Sequence, residues 1–94
     1  MYASINTAQI QAGQLDQAIR TIQEQVNPIV KQLPGLQSVS LMVDRSANTL
    51  VTIAIYDTLE HAQIVPSGAL LEALGPLNAV LSGRPDRKWY EVVA

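Results

Sequence analysis

The sequence predicts an α+β domain in which one antiparallel sheet carries its helices on a single face. Three observations carry this reading. Apolar residues recur at three- and four-residue steps between Leu15 and Leu33, marking a long amphipathic helix. Two alternating segments, 36–44 and 49–56, flank a polar turn of hairpin length, Arg45-Ser46-Ala47-Asn48. Around these the chain runs strand, helix, strand, strand, broken helix, strand.

Residues 2–7 (Tyr-Ala-Ser-Ile-Asn-Thr) form the first expected strand. In the helix that follows, Leu15, Ala18, Ile19, Ile22, Val26, Ile29, Val30 and Leu33 make the stripe, with Gln17, Arg20, Gln23, Glu24 and Lys31 outside it. Pro28 removes one backbone hydrogen bond and is expected to kink the helix near 24–27; the stripe continues in phase, so the helix goes on to Pro34-Gly35. Alternation in the hairpin assigns Val39, Leu41, Val43, Val51, Ile53 and Ile55 to one face, and Ser38, Ser40, Met42, Thr52, Ala54 and Tyr56 to the other. Neither face carries a charge through its middle, so both are expected to be covered. The helices suffice for one face, which leaves the other to a second subunit or a pocket. Thr58 is the expected N-cap of a short helix. A second short helix is expected over 69–74, ended by Gly75-Pro76, and residues 88–93 form the last strand.

Composition narrows the function by exclusion. The 94 residues are 48% hydrophobic and 15% charged, with a net charge of −2. This fits one domain spanning 1–94 and excludes a disordered chain. Six Lys and Arg against eight Asp and Glu argue against nucleic acid. No apolar run is long enough to span a membrane, and residues 1–6 lack the basic and apolar regions of a signal peptide. A cytoplasmic location is therefore expected. Absence of cysteine removes disulfides, thiolate nucleophiles and thiolate metal sites, and His61 is the only histidine. No metal site and no organic cofactor is expected. There is no nucleophile elbow, phosphate loop or paired-carboxylate site.

The element order is the βαββαβ, ferredoxin-like arrangement, which serves many functions. RNA-recognition domains need aromatic central strands and a basic face, and metal chaperones need a CxxC loop; this chain has neither. Residues 8–14 hold no basic residue with which to recognise an acyl phosphate.

What remains resembles the dimeric α+β barrel superfamily, and within it the antibiotic biosynthesis monooxygenase-like domains. The carriers are the first helix ending in Leu33-Pro34-Gly35-Leu36, the hairpin with its polar turn, the segment Tyr56-Asp57-Thr58-Leu59-Glu60-His61-Ala62, and the closing 83–93 stretch. The resemblance implies a homodimer whose sheets close into a barrel. It also implies a pocket in each subunit for a small apolar or aromatic molecule, such as a polyketide, a quinol or haem. Some such proteins are oxygenases without metal or organic cofactor, and others have no known activity. The chain is thus expected to be a cofactor-independent monooxygenase of an aromatic or quinol-like substrate, or a non-catalytic ligand-binding or dimerisation module of the same fold.

Asn6 is the first candidate catalytic residue. The resemblance implies an Asn on the first strand whose amide polarises a substrate carbonyl or enolate; local bonding to backbone is the competing account. Tyr56 stands where the resemblance implies Trp, so its candidate role is stacking and hydrogen bonding, against core packing. His61 is the one side chain that ordinarily titrates near pH 7, yet its place in the first turn of a helix suits a solvent-facing residue. Ser4, Ser38, Ser40 and Trp89 are candidate substrate-binding residues. Trp89 and Tyr90 must point to opposite faces of the last strand. Arg84, Arg87 and Lys88, clustered around Asp86, are either a screen for an anionic ligand at the pocket mouth or a solvated loop.

Overall fold

A computed structural model describes all 94 residues. Four strands, β1 (Tyr2–Gln9), β2 (Leu36–Asp44), β3 (Thr49–Tyr56) and β4 (Asp86–Glu91), form one sheet in the order β2-β3-β1-β4. Every neighbouring pair is antiparallel. The helices are α1 (Leu15–Thr21), a π-helical segment Ile22–Val26, α2 (Asn27–Val30), α3 (Leu59–Ala62) and α4 (Gly68–Asn78). This is the expected ferredoxin-like arrangement.

Both hairpin strands fall at the expected residues, and Asp44 builds their turn. Its Oδ1 accepts from Ser46 N (3.1 Å), Ser46 Oγ (2.7 Å) and Ala47 N (3.3 Å). Asn48 takes a φ of 49°, a left-handed conformation that its side chain tolerates. The assignment of faces within the hairpin needs correction. Four turn residues pair Asp44 with Thr49, Val43 with Leu50 and Leu41 with Thr52, so odd residues of β2 share a face with even residues of β3. Val39, Leu41 and Val43 therefore stand with Thr52, Ala54 and Tyr56. Ser38, Ser40 and Met42 stand with Val51, Ile53 and Ile55.

Pro28 distorts its helix as expected, but the device is a π turn. Asn27 N–H donates to Ile22 O, five residues back, just ahead of the proline. Widening there relieves the clash between the Pro28 ring and the preceding turn. The second correction concerns Gly75-Pro76, which does not end a helix: α4 runs on to Asn78, and Ala79 N donates to Gly75 O at 3.1 Å. Only the amide at position 76 is lost, on an exposed flank. The last strand starts two residues earlier than expected. It pairs from Thr7↔Asp86 to Tyr2↔Glu91, and β1 has nothing further to offer residues 92–94 beyond Val92 N to Met1 O (2.8 Å).

Helices cover one face of the sheet. Leu15, Ala18, Ile22 and Val26 pack on Leu50, with Leu70 and Val80 closing the same core. A smaller cluster of Ala54, Tyr56 and Ala62 lies at the other end. The opposite face is bare, with Val51, Ile53 and Ile55 beside Ile5 on the central strands and Met42 and Tyr90, 47% and 52% exposed, on the edges. Its charges lie only on the edge strands, Asp86 and Lys88 on β4 and Asp44 at the end of β2.

Gly35 joins the first helix to β2 at φ 78°, and its carbonyl accepts Asp57 N at 2.9 Å. A Cβ there would overlap Asp57 Oδ1 and His61 Nδ1. Gly35→Ala is expected to destabilise the fold by about 1–3 kcal/mol through strain and loss of that side-chain pair, read from the urea midpoint. An unchanged midpoint would contradict the close approach.

Candidate functional site

Between the covered face of the sheet and its helices lies a cavity of about 380 Å³. Of its 22 lining residues 14 are hydrophobic, which makes it a mostly apolar container with a few polar groups, as small-molecule sites are. The sheet floor comes from the even residues of β1 and β3, with Val39 of β2 and Arg87 of β4. Ile22, Val26 and Asn27, in and beside the π turn, form one wall, so the distortion ahead of Pro28 shapes the site. Leu70, Leu74 and Leu77 of α4 form another.

Three of the expected residues meet here. Ser4, Asn6 and Tyr56 all line the cavity, brought together because Ser4 pairs with Ala54, Asn6 with Thr52 and Tyr2 with Tyr56. The side chains of Asn6 and Tyr56 make no hydrogen bond within the chain, so Asn6 is not tied to local backbone. Burial pushes the Tyr56 phenol above its ordinary pKa, against a smaller opposing pull from the Arg87 charge. At neutral pH the phenol is therefore a hydrogen-bond donor.

The remaining candidates lie elsewhere. Ser38 and Ser40 stand on the bare face, carried away from the cavity by the hairpin register. Trp89 shares the covered side with Ser4 but lies outside the cavity lining, where its Nε1 donates to Ala62 O at 2.8 Å. Tyr90 faces the opposite way, as alternation requires. His61 is outside the cavity. Its Nδ1 lies 2.6 Å from Asp57 Oδ1, and its backbone N–H donates to the Thr58 cap at 3.2 Å. This pair pins the start of α3 to the Gly35 turn. No three His, Asp or Glu side chains converge as a metal site would require.

Arg87 belongs to the cavity and not to a solvated loop. Paired with Asn6 across the sheet, it donates from Nε to Ser4 Oγ (3.3 Å) and from Nη2 to Ala62 O (3.0 Å) and Ile64 O (3.1 Å). Its guanidinium carbon lies 5.1 Å from the centre of the Trp89 ring. Burial lowers its pKa, an effect that Tyr56 partly offsets. Asn27, Thr52 and Asn78 also line the cavity and carried no distinguishing sequence signal.

Comparison with solved structures agrees with this fold. The fold is similar to that of an antibiotic biosynthesis monooxygenase, with a TM-score of 0.81 at 18% identity over the whole of both chains. A Bordetella bronchiseptica protein designated to the same class gives 0.85 at 15% identity, over 99% of this chain and 97% of that one. A mutant of SnoaB, a cofactor-independent oxygenase from Streptomyces nogalater, gives 0.75 at 15%, over 97% and 91%. Neither a protein-family model nor a curated protein matches the sequence. The chain therefore has the antibiotic biosynthesis monooxygenase fold, an α+β domain of ferredoxin-like topology. No helix is long and apolar enough to cross a membrane.

Asp57 is held below its ordinary pKa of 3.8, chiefly by the hydrogen bond from His61. A depressed carboxyl stabilises the fold above its unfolded pKa, and that stability is lost as pH falls through the folded value. Asp57→Asn is thus expected to flatten the loss of stability below about pH 4, measured by denaturant titration across pH. An unaltered acid limb would show that the pair contributes nothing.

Proposed function

We propose that the protein is a cytoplasmic homodimer in which each subunit binds a small, ring-bearing, largely apolar molecule and oxidises it with O2, without an organic cofactor. The observation that carries this reading is the cavity, an apolar space in which the Asn6 amide and the Tyr56 hydroxyl are both without protein partners. Its volume suits two or three fused rings. A cofactor-independent oxygenase among the structures of similar fold supports the same reaction class.

In this scheme a ring carbon activated by a neighbouring carbonyl, as in an anthrone, loses a proton to give an enolate. Asn6 and Tyr56 donate to its oxygen, where negative charge develops, and the surrounding Leu and Val side chains exclude water. The enolate reduces O2. One oxygen atom forms the new carbon–oxygen bond and the other leaves as water, so a CH2 group becomes C=O and the substrate supplies all the electrons. Since His61 stands outside the cavity and is engaged by Asp57, proton loss rests on the acidity of the substrate itself. The same observation favours a second reading, a non-catalytic binder of such molecules.

Dimerisation is supported by the bare sheet face. Val51, Ile53, Ile55 and Ile5 form an uncharged centre, and only 14 of the 94 residues are buried in the isolated chain.

Aerobic turnover of an anthrone such as dithranol is expected to fall at least about tenfold in Asn6→Ala, with a smaller fall in Tyr56→Phe. Unchanged rates in both variants, with binding retained, would leave the non-catalytic reading. Light scattering is expected to give a mass near twice 10.2 kDa, and Ile53→Asp, which places a charge on the bare face, is expected to give monomers. A wild-type monomer at all concentrations would contradict the dimer.

A further inference from the structure

Resting on the cavity as a binding site for ring-bearing molecules, we infer that its ligand carries a monoanionic group, a carboxylate, and that Arg87 receives it. Three of the guanidinium's contacts point back into the protein, to Ser4 Oγ, Ala62 O and Ile64 O. These fix its plane and leave Nη1 without a partner in the chain. Its aromatic neighbour Trp89 holds it from a fourth side. None of the acidic residues neutralises it: the ion pairs of the chain join Arg45 to Asp16, His61 to Asp57 and Lys88 to Asp86. A positive charge therefore borders an apolar cavity with no counter-charge of the protein's own.

That arrangement selects the ligand. While the cavity is open to water, solvent screens the guanidinium. A neutral molecule filling the space would strip that water and leave a buried charge unpaired, a heavy penalty. A ligand bearing a carboxylate at this end replaces the lost hydration with a charge-assisted hydrogen bond to Nη1. Asn6, directly across the sheet from Arg87, and the Tyr56 hydroxyl supply further donors to oxygen atoms at the same end of the cavity. One guanidinium matches one negative charge, which favours a carboxylate over a phosphate ester carrying nearly two. A transient enolate does not remove the penalty, because the cavity is dry before that charge forms.

The test is calorimetric titration at pH 7 with matched naphthalene probes. Naphthalene-2-carboxylate is expected to bind at least about tenfold more tightly than the neutral 2-naphthamide, and more tightly than 2-naphthyl phosphate. Arg87→Gln is expected to abolish the preference for carboxylate over amide, weakening the acid through loss of its partner and tightening the amide, whose binding no longer leaves a charge unpaired. Arg87→Lys, which keeps the charge, is expected to retain most of the preference. Equal affinity for acid and amide in the wild type would overturn the anion site and leave the cavity reading standing. Tighter binding of the phosphate would overturn the choice of a carboxylate. Failure of acid and amide alike to bind would overturn both this inference and the proposed function. The comparison within the wild-type protein decides the question even if Arg87→Gln does not fold.

Discussion

Antiparallel pairing of β1 with β3, from Tyr2↔Tyr56 to Gln9↔Thr49, determines which side chains look into the molecule, and the site is a consequence of that register. It sends Ser4, Asn6 and Ala8 of one strand to the same side as Leu50, Thr52, Ala54 and Tyr56 of the other. It sends Ile5, Val51, Ile53 and Ile55 to the other side. A slip of one residue in β1 would turn that strand over, putting Ser4 and Asn6 on the bare face and Ile5 under the helices; a slip in β3 would do the same to Val51, Ile53 and Ile55. The hydrophobic pattern alone does not forbid that slip strongly, because neither set is charged. At the end of this pair Gln9 Nε2 donates to Thr49 Oγ1 (2.9 Å) and Ile10 N to Asn48 O (2.8 Å), while the turn closed by Asp44 and Asn48 sets β2 on β3, and Arg87 of β4 reaches Ser4 from the covered face.

In the proposed dimer, both faces of the sheet are committed to something beyond the chain itself. The covered face does not close: a space of about 380 Å³ remains under α2 and α4, and packing forgone there costs stability in rough proportion to its volume. Asn6 and Tyr56 also forgo hydrogen bonds that a purely structural core would make. The bare face keeps branched aliphatics partly exposed on its central strands. In a chain this short, with 14 buried residues, such losses are large relative to total stability, so the proposed ligand on one side and the proposed second subunit on the other would each add to folding by mass action.

Much of the fold was legible because local chemistry and global arrangement agree. The polar turn between two alternating runs located both hairpin strands, and Thr58 marked the start of α3 by capping it. Pro28 announced a distortion, although only the folded chain shows that the answer is a π turn opening onto the cavity. The faces of the hairpin were not legible from alternation, which gives the parity within a strand but not between strands. The four-residue turn held the missing information, since it joins odd positions of β2 to even positions of β3. That is why Ser38 and Ser40 were expected in the pocket and stand outside it. Arg87 looked like one of several charges near a loop. Its place beside Asn6 depends on where β4 begins, and that depends on how far β1 extends. Pro76 misled because a proline on an exposed helical flank forfeits one hydrogen bond without ending the helix.

The proposed function divides labour between the two faces of one sheet, with the ligand on the covered face and the partner on the bare one. The most direct test is a set of nuclear Overhauser contacts between a saturating naphthalene ligand and methyl-labelled protein. The account predicts contacts from the ring to Ala8, Val26, Leu50 and Leu70, which line the cavity, and none to Val51, Ile53 or Ile55. Contacts to the Val51, Ile53 and Ile55 methyls in place of the cavity set would contradict it, because the ligand would then occupy the face assigned to the second subunit.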